Sequence, residues 1–358
     1  MHRRRMWWLV AAALLIGAGA WLMSLADRNT AKSRVGQVKM PRSMDSEAWS
    51  RMQARRLPVW NTVDADAPNE DEKARPRSSD PLLAIMPERI KRMAVVLEAN
   101  AVLNSPLGKM LLNCLAAGNG NNALTKAEKD WGLHLERDLD RVAMIDDTVV
   151  MSGFFENAKW DAQFAEFPRE VLGTKGKLWR QPDGGAIVAW DNHLLLQARD
   201  ETDARAMVAR LQNHNASVEN PVLTETQTYG EIYGVLGPEV FANLFGDEIP
   251  NVKERISAFA DRVELHVDTT SDVGIVADVQ GKKGAPGGDD LGRTIGGLLS
   301  LGRMKARLDD EKELAEILDL ARVKIGDNGF RTEMAMPLTV IEKILGQCAK
   351  GATDAGSP

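Results

Sequence analysis

Cysteine is almost missing from this chain: Cys114 and Cys348 are the only two among 358 residues. No Cys-x-x-Cys spacing exists, and the histidines beyond the N-terminus (His134, His193, His214 and His266) stand isolated. None forms the i, i+4 pair of a helical zinc site, so the sequence offers no metal ligands. A Gly-x-Ser-x-Gly elbow is also missing, and no serine stands beside a histidine in a catalytic pattern. Residues 173–177 (GTKGK) lack the spacing and terminal hydroxyl of a phosphate-binding loop. Residues 118–122 (GNGNN) lack the alternating carboxylates of a calcium loop. The sequence therefore nominates no catalytic residue, no metal and no cofactor.

Charge is missing over one long stretch. His2 and three arginines (residues 3–5) precede a run from Met6 to Ala26 that carries no charged residue. About twenty apolar residues in a helix cover a hydrocarbon core of about 30 Å, and a helix pairs its own backbone groups there. Residues 6–25 thus read as a membrane partner, with the arginines on the cytoplasmic side and the body in the periplasm or outside. Trp7, Trp8 and Trp21 stand near the two ends, where indole rings favour the interface. The alternative is a signal peptide cleaved near Ala26, after small residues at Ser24 and Ala26. No cysteine follows the run, which excludes a lipid-modified N-terminus.

Without residues 3–5 the chain holds 42 lysines and arginines against 51 acids. Such an acidic body has no electrostatic reason to bind nucleic acid or anionic lipid. In an oxidising compartment Cys114 and Cys348 form either a disulfide, worth a few kcal/mol through loop closure, or two buried free thiols.

Composition divides the remainder. Residues 27–86 are rich in Arg, Asp, Ser and Pro and read as a flexible linker, able to span on the order of 40 Å as a coil. One short amphipathic helix near residues 46–56 would carry Trp49 and Met52 on one face. Residues 351–358 read as a disordered tail.

The body alternates strand-like and helix-like runs. Residues 93–98 (MAVVLE) form a strand, and Pro106 opens a helix that Gly118 ends. Residues 141–145 and 148–155 form a hairpin around Asp146-Asp147, followed by a helix over 157–167. Strands follow at 177–180, 186–190 and 193–198, then a helix at 200–212 with Ala204, Met207, Val208 and Leu211 on one face. The order recurs: strand 229–236, a helix from Pro238, strands 262–268 and 273–280, helices 290–308 and 309–320, strands 322–326 and 330–336, and a last helix from Pro337. This predicts an α+β fold of two similar units, residues 87–216 and 217–350, each a mostly antiparallel sheet with helices on one face.

Short stretches carry a resemblance: Ser105-Pro106-Leu107-Gly108, residues 138–143 (DLDRVA) and residues 150–154 (VMSGF). On these the chain resembles uncharacterised exported proteins of myxobacteria and their relatives. The resemblance implies an N-terminal anchor and a two-unit α+β body, and it implies no activity.

Adjacent carboxylates at Asp146/Asp147, Asp289/Asp290 and Asp309/Asp310 read as turn and helix-start residues, since a glycosidase needs its pair facing across a cleft. Asn215-Ala216-Ser217 is a sequon that matters only in a eukaryotic secretory pathway. The expectation is a tethered, non-enzymatic binding or structural module of the bacterial envelope, taking a protein or a small apolar ligand. The alternative is an envelope hydrolase assembled from distant residues.

Overall fold

The computed structural model describes residues 38–55, 80–117, 128–212, 218, 220–243 and 252–343. The expected anchor, the sequon, Cys348 and the tail lie outside the described residues, as does the side chain of Cys114. No helix among the described residues is long and apolar enough to cross a membrane.

Among the described residues the fold is α+β and built on one antiparallel sheet of twelve strands. They are β1 (Met93–Leu97), β2 (Leu139–Ile145), β3 (Thr148–Gly153), β4 (Arg169–Leu172), β5 (Gly176–Arg180), β6 (Ala186–Trp190), β7 (Leu194–Ala198), β8 (Ile232–Leu236), β9 (Ala260–Asp268), β10 (Val273–Gly281), β11 (Arg322–Gly326) and β12 (Gly329–Met336). Their order across the sheet is β11-β12-β10-β9-β8-β1-β2-β3-β7-β6-β5-β4. The helices, in chain order, are α1 (Ser46–Ala54), α2 (Ala99–Asn104), α3 (Pro106–Ala117), α4 (Glu201–Gln212), α5 (Pro238–Asn243), α6 (Val252–Phe259), α7 (Gly288–Leu308) and α8 (Lys312–Asp319), with shorter turns between them.

The expected pair of sheets is thus one. β1 pairs with β2 on one side and with β8 on the other, Met93 standing opposite Leu236 and Val96 opposite Tyr233. The reason lies in composition. β1 (MAVVL) and β8 (IYGVL) are apolar at successive positions, and a strand buried on both faces belongs in the middle of a sheet. Gly234 permits the join, because a Cβ there would stand 2.1 Å from the carbonyl oxygen of Ala94.

Helices cover both faces, not one. In the β1–β7 half, Ala94, Val96, Val188 and Leu196 pack against Ala204, Met207, Val208 and Leu211 of α4. The opposite face of the same strands holds Trp179, Ile187 and Leu195 against Phe155 and Trp160. In the other half one face is apolar: Val263, Ala277 and Val279 pack against Phe241 of α5, Ile256 of α6, and Leu291 and Ile295 of α7. The reverse face of that half is polar.

Two pieces of the expected linker belong to the body. Leu82, Ile85 and Met86 are fully buried, on a short turn that Asp80 caps by accepting the Leu82 N–H at 2.9 Å. Residues 38–55 lie as a strap over the polar sheet face. The helix expected near 46–56 is there as α1, but its buried face is Ala48 and Met52 at i, i+4, and Trp49 is half exposed. The helix expected over 157–167 shrinks to Trp160–Gln163.

Candidate functional site: a charged sheet face under a basic strap

Strand alternation makes the polar face. In β9, Val263, Leu265 and Val267 join the apolar cores, so Glu264, His266 and Asp268 point the other way. Antiparallel registers then line up the charges of the neighbouring strands. Asp278 of β10 stands between Glu264 and Arg331 of β12, and Lys324 of β11 stands opposite Arg331. Arg331 donates two hydrogen bonds to Asp278, at 2.6 and 2.8 Å. The Lys324 ammonium donates to both Glu333 oxygens, at 2.7 and 2.8 Å. An open groove of about 640 Å³ crosses this face, lined by Tyr229, Glu264, Asp278, Lys324, Asn328 and Arg331.

His266, beside two groove-lining residues, Tyr229 and Glu264, is itself fully buried. Its Nδ1 lies 3.1 Å from the Tyr229 carbonyl oxygen and its Nε2 3.1 Å from a Glu264 carboxylate oxygen. Both ring nitrogens thus face an oxygen acceptor. The hydrogen bond from His266 holds the Glu264 carboxyl below its ordinary value, with help from Gln227. The Tyr229 ring stacks on the imidazole, centroids 3.6 Å apart and planes 6° apart, and burial pushes its hydroxyl up to about 12.

The strap crosses the far end of the same face. Asp45 caps α1 through the Ala48 N–H at 2.9 Å. Lys39 reaches Asp268 at 3.5 Å, Arg42 reaches Glu333 at 3.8 Å, and Arg51 reaches Glu231 at 3.6 Å. Burial raises the Glu231 carboxyl, although the Thr269 N–H donates to it at 2.7 Å. Gly274 allows the close approach, since a Cβ there would stand 2.4 Å from the Lys39 carbonyl oxygen. A smaller cavity of about 150 Å³ remains between Lys39, Arg42, Arg51, Glu231 and Asp268.

At the end of the strap a buried charge network begins. Arg55 binds Glu98 through two nitrogens and Asp140 at 2.9 Å. The Tyr233 hydroxyl donates to Glu98 at 2.7 Å. Arg141 grips Asp80 with two hydrogen bonds, at 2.7 and 2.8 Å, both side chains almost fully buried. Burial alone would raise the Asp80 carboxyl. The Arg141 charge and hydrogen bonds, with Arg55 and the Leu82 N–H, outweigh it and hold the group below its ordinary value.

The residues singled out in the sequence are scattered among other tasks. His134 is exposed and paired with Glu128 at 3.1 Å, and His193 Nδ1 meets the Gly153 carbonyl at 3.1 Å. His214 lies outside the described residues. Asp146 accepts the backbone N–H groups of Lys91, Arg92 and Met93, while Asp147 pairs with Arg92 at 3.3 Å. Asp290 bonds Arg255 at 2.5 Å and Asp310 meets Lys312 at 3.3 Å. No group of three or more metal-ligand side chains converges among the described residues. Sequence reading missed Asp80, Glu98 and Arg141. The available signal was a single charge set within or at the end of an apolar run, as in MAVVLE and RVAMI.

No protein-family model matches the chain, and no curated protein does. Among solved structures, crystal form I of TP0453 is similar at a TM-score of 0.41 and 10% identity, covering 75% of this chain and 98% of that one.

Proposed function

We propose that this chain is a membrane-tethered, extracytoplasmic binding module rather than an enzyme. The observation that carries the choice is His266. Both of its ring nitrogens are occupied by Tyr229 and Glu264, and its ring face is covered by Tyr229. A general base needs a nitrogen free to take a proton from a nucleophile in hydrogen-bond reach. Here the buried imidazole instead supports Tyr229 and Glu264, which line the groove. Across the strands the groove carries two anionic side chains, Glu264 and Asp278, and then two cationic ones, Arg331 and Lys324, which favours a polar partner of mixed charge over the apolar ligand expected from sequence.

The tether rests on residues 6–25 with the arginines before them, placing the body outside the cytoplasm across the inner membrane. A body made of two related units is part of the same proposal. β1 and β8 meet antiparallel at the centre, each is followed by helices, and each then has a hairpin on its outer side, β2–β3 or β9–β10. A second hairpin extends each half further, β7–β6 or β12–β11, and β4–β5 is an addition to the first.

The test is fractionation of the full chain with a C-terminal reporter active only outside the cytoplasm. The expected result is a membrane-bound, reporter-active protein that becomes soluble when residues 1–26 are deleted. A full chain found in the cytoplasm would overturn the tether. Hydrolase activity lost on His266→Gln, with the fold retained, would overturn the non-enzymatic reading.

A further inference from the structure

The strap meets the sheet through charge more than through apolar area. α1 buries only Ala48 and Met52, and Trp49 turns away. Against that stand four cations of the strap, Lys39, Arg42, Arg51 and Arg55, each within 4 Å of a carboxylate elsewhere in the chain. The acceptors Glu98, Glu231, Asp268 and Glu333 are nearly buried, while Lys39 and Arg42 remain more than half exposed. Exposed partners are readily screened by salt and exchange easily with water. Held this way, residues 38–51 can leave without dismantling the sheet beneath them, because the apolar cores on the strands' other face do not include them, while Arg55 stays held by the nearly buried Glu98 as the hinge.

The position of the strap gives its release a consequence. With the strap docked, only residues 27–37 join the expected anchor to the body, a span of at most about 40 Å for a fully extended chain. With residues 38–51 released, the first fixed point is Arg55, and the limit rises to about 100 Å. We infer that the strap is a releasable latch: a basic segment held in cis on an acidic sheet face, whose release lengthens the tether between membrane and body. The inference rests on the tethered reading above for its consequence, and on the ion pairs alone for the latch.

Hydrogen exchange of the full chain in phosphatidylcholine vesicles tests both parts. In the wild type, amides of α1 should exchange at least 10-fold faster than those of β1 and β8. Raising salt from 0.05 to 0.5 M should speed α1 a further several-fold and leave the sheet unchanged. The triple variant Lys39→Gln/Arg42→Gln/Arg51→Gln should reproduce the salt effect at low salt, and Met52→Ala should do so without altering charge. Energy transfer from a dye on the body to an acceptor lipid should fall in both variants. Exchange of α1 in step with β8, or acceleration of both by the triple variant, would overturn the latch. Faster exchange with unchanged energy transfer would overturn the lengthened tether. Failure of the full chain to stay with the vesicles sinks the membrane reading instead, and the exchange data still decide the latch.

Discussion

Replacing Arg141 by methionine isolates the energetics of the buried network. Both partners of the Arg141–Asp80 pair are out of water, at 3% and 2% side-chain exposure. Methionine keeps the aliphatic length and removes the guanidinium. Asp80 then keeps the Leu82 N–H but loses both charge-assisted bonds. Removing one partner of a buried pair costs about 3–5 kcal/mol, mostly as the penalty of a buried charge with its partner gone. In urea, with a slope of about 3 kcal/mol per molar, the midpoint should fall by roughly 1–2 M. Adding Asp80→Asn keeps the cap and removes the charge that Arg141 had balanced, so the double variant should recover about 2–3 kcal/mol relative to the sum of the single losses. Circular dichroism through the urea transition of all four proteins reads the cycle. A loss under about 1 kcal/mol for Arg141→Met, or additive single losses, would refute the reasoning.

Other consequences are equally direct. Gly234→Ala places a methyl against the Ala94 carbonyl at the centre of the sheet, and soluble expression should collapse or stability drop by more than about 3 kcal/mol. Tyr233→Phe deprives Glu98 of a donor at 2.7 Å, and thermal denaturation should report a loss of about 1–3 kcal/mol, with an unchanged melting temperature counting against it. Asp80 titrates below its ordinary 3.8 in the folded protein, so its contribution is complete above that value and is lost as pH falls through the depressed value. Melting temperature should therefore fall below about pH 4, and less steeply in Asp80→Asn.

Most strands were readable because their patterns are local. β1, the β2–β3 hairpin, β6, β7 and the β9–β10 and β11–β12 pairs follow apolar runs broken by Asp, Asn and Gly. Helix α4 shows all four of its expected apolar residues buried. β4 was missed because Arg169-Glu170-Val171-Leu172 is an exposed edge strand, formed by its register against β5 and not by periodicity. The join between β1 and β8 was missed for a related reason. Nothing local in MAVVL says whether its free edge is closed by another sheet, a helix or water. The polar face was illegible as a site because its charges come from four strands and a distant strap. Averaging over a polar stretch likewise hid Leu82, Leu83, Ile85 and Met86 at its end.

The central pairing of β1 with β8 also dictates an order of events when the chain is made. β1 is complete some 140 residues before its second neighbour has been synthesised, since Met93 pairs with Leu236. Until then β2 can close one side of it, while the other side presents unpaired amides and carbonyls along an apolar ribbon. An open edge of that kind invites pairing with another chain. Closing it late also requires a long loop to be ordered first, which slows folding. A chain truncated after β7 should therefore associate with copies of itself, and in the cell the first half needs shielding until β8 emerges.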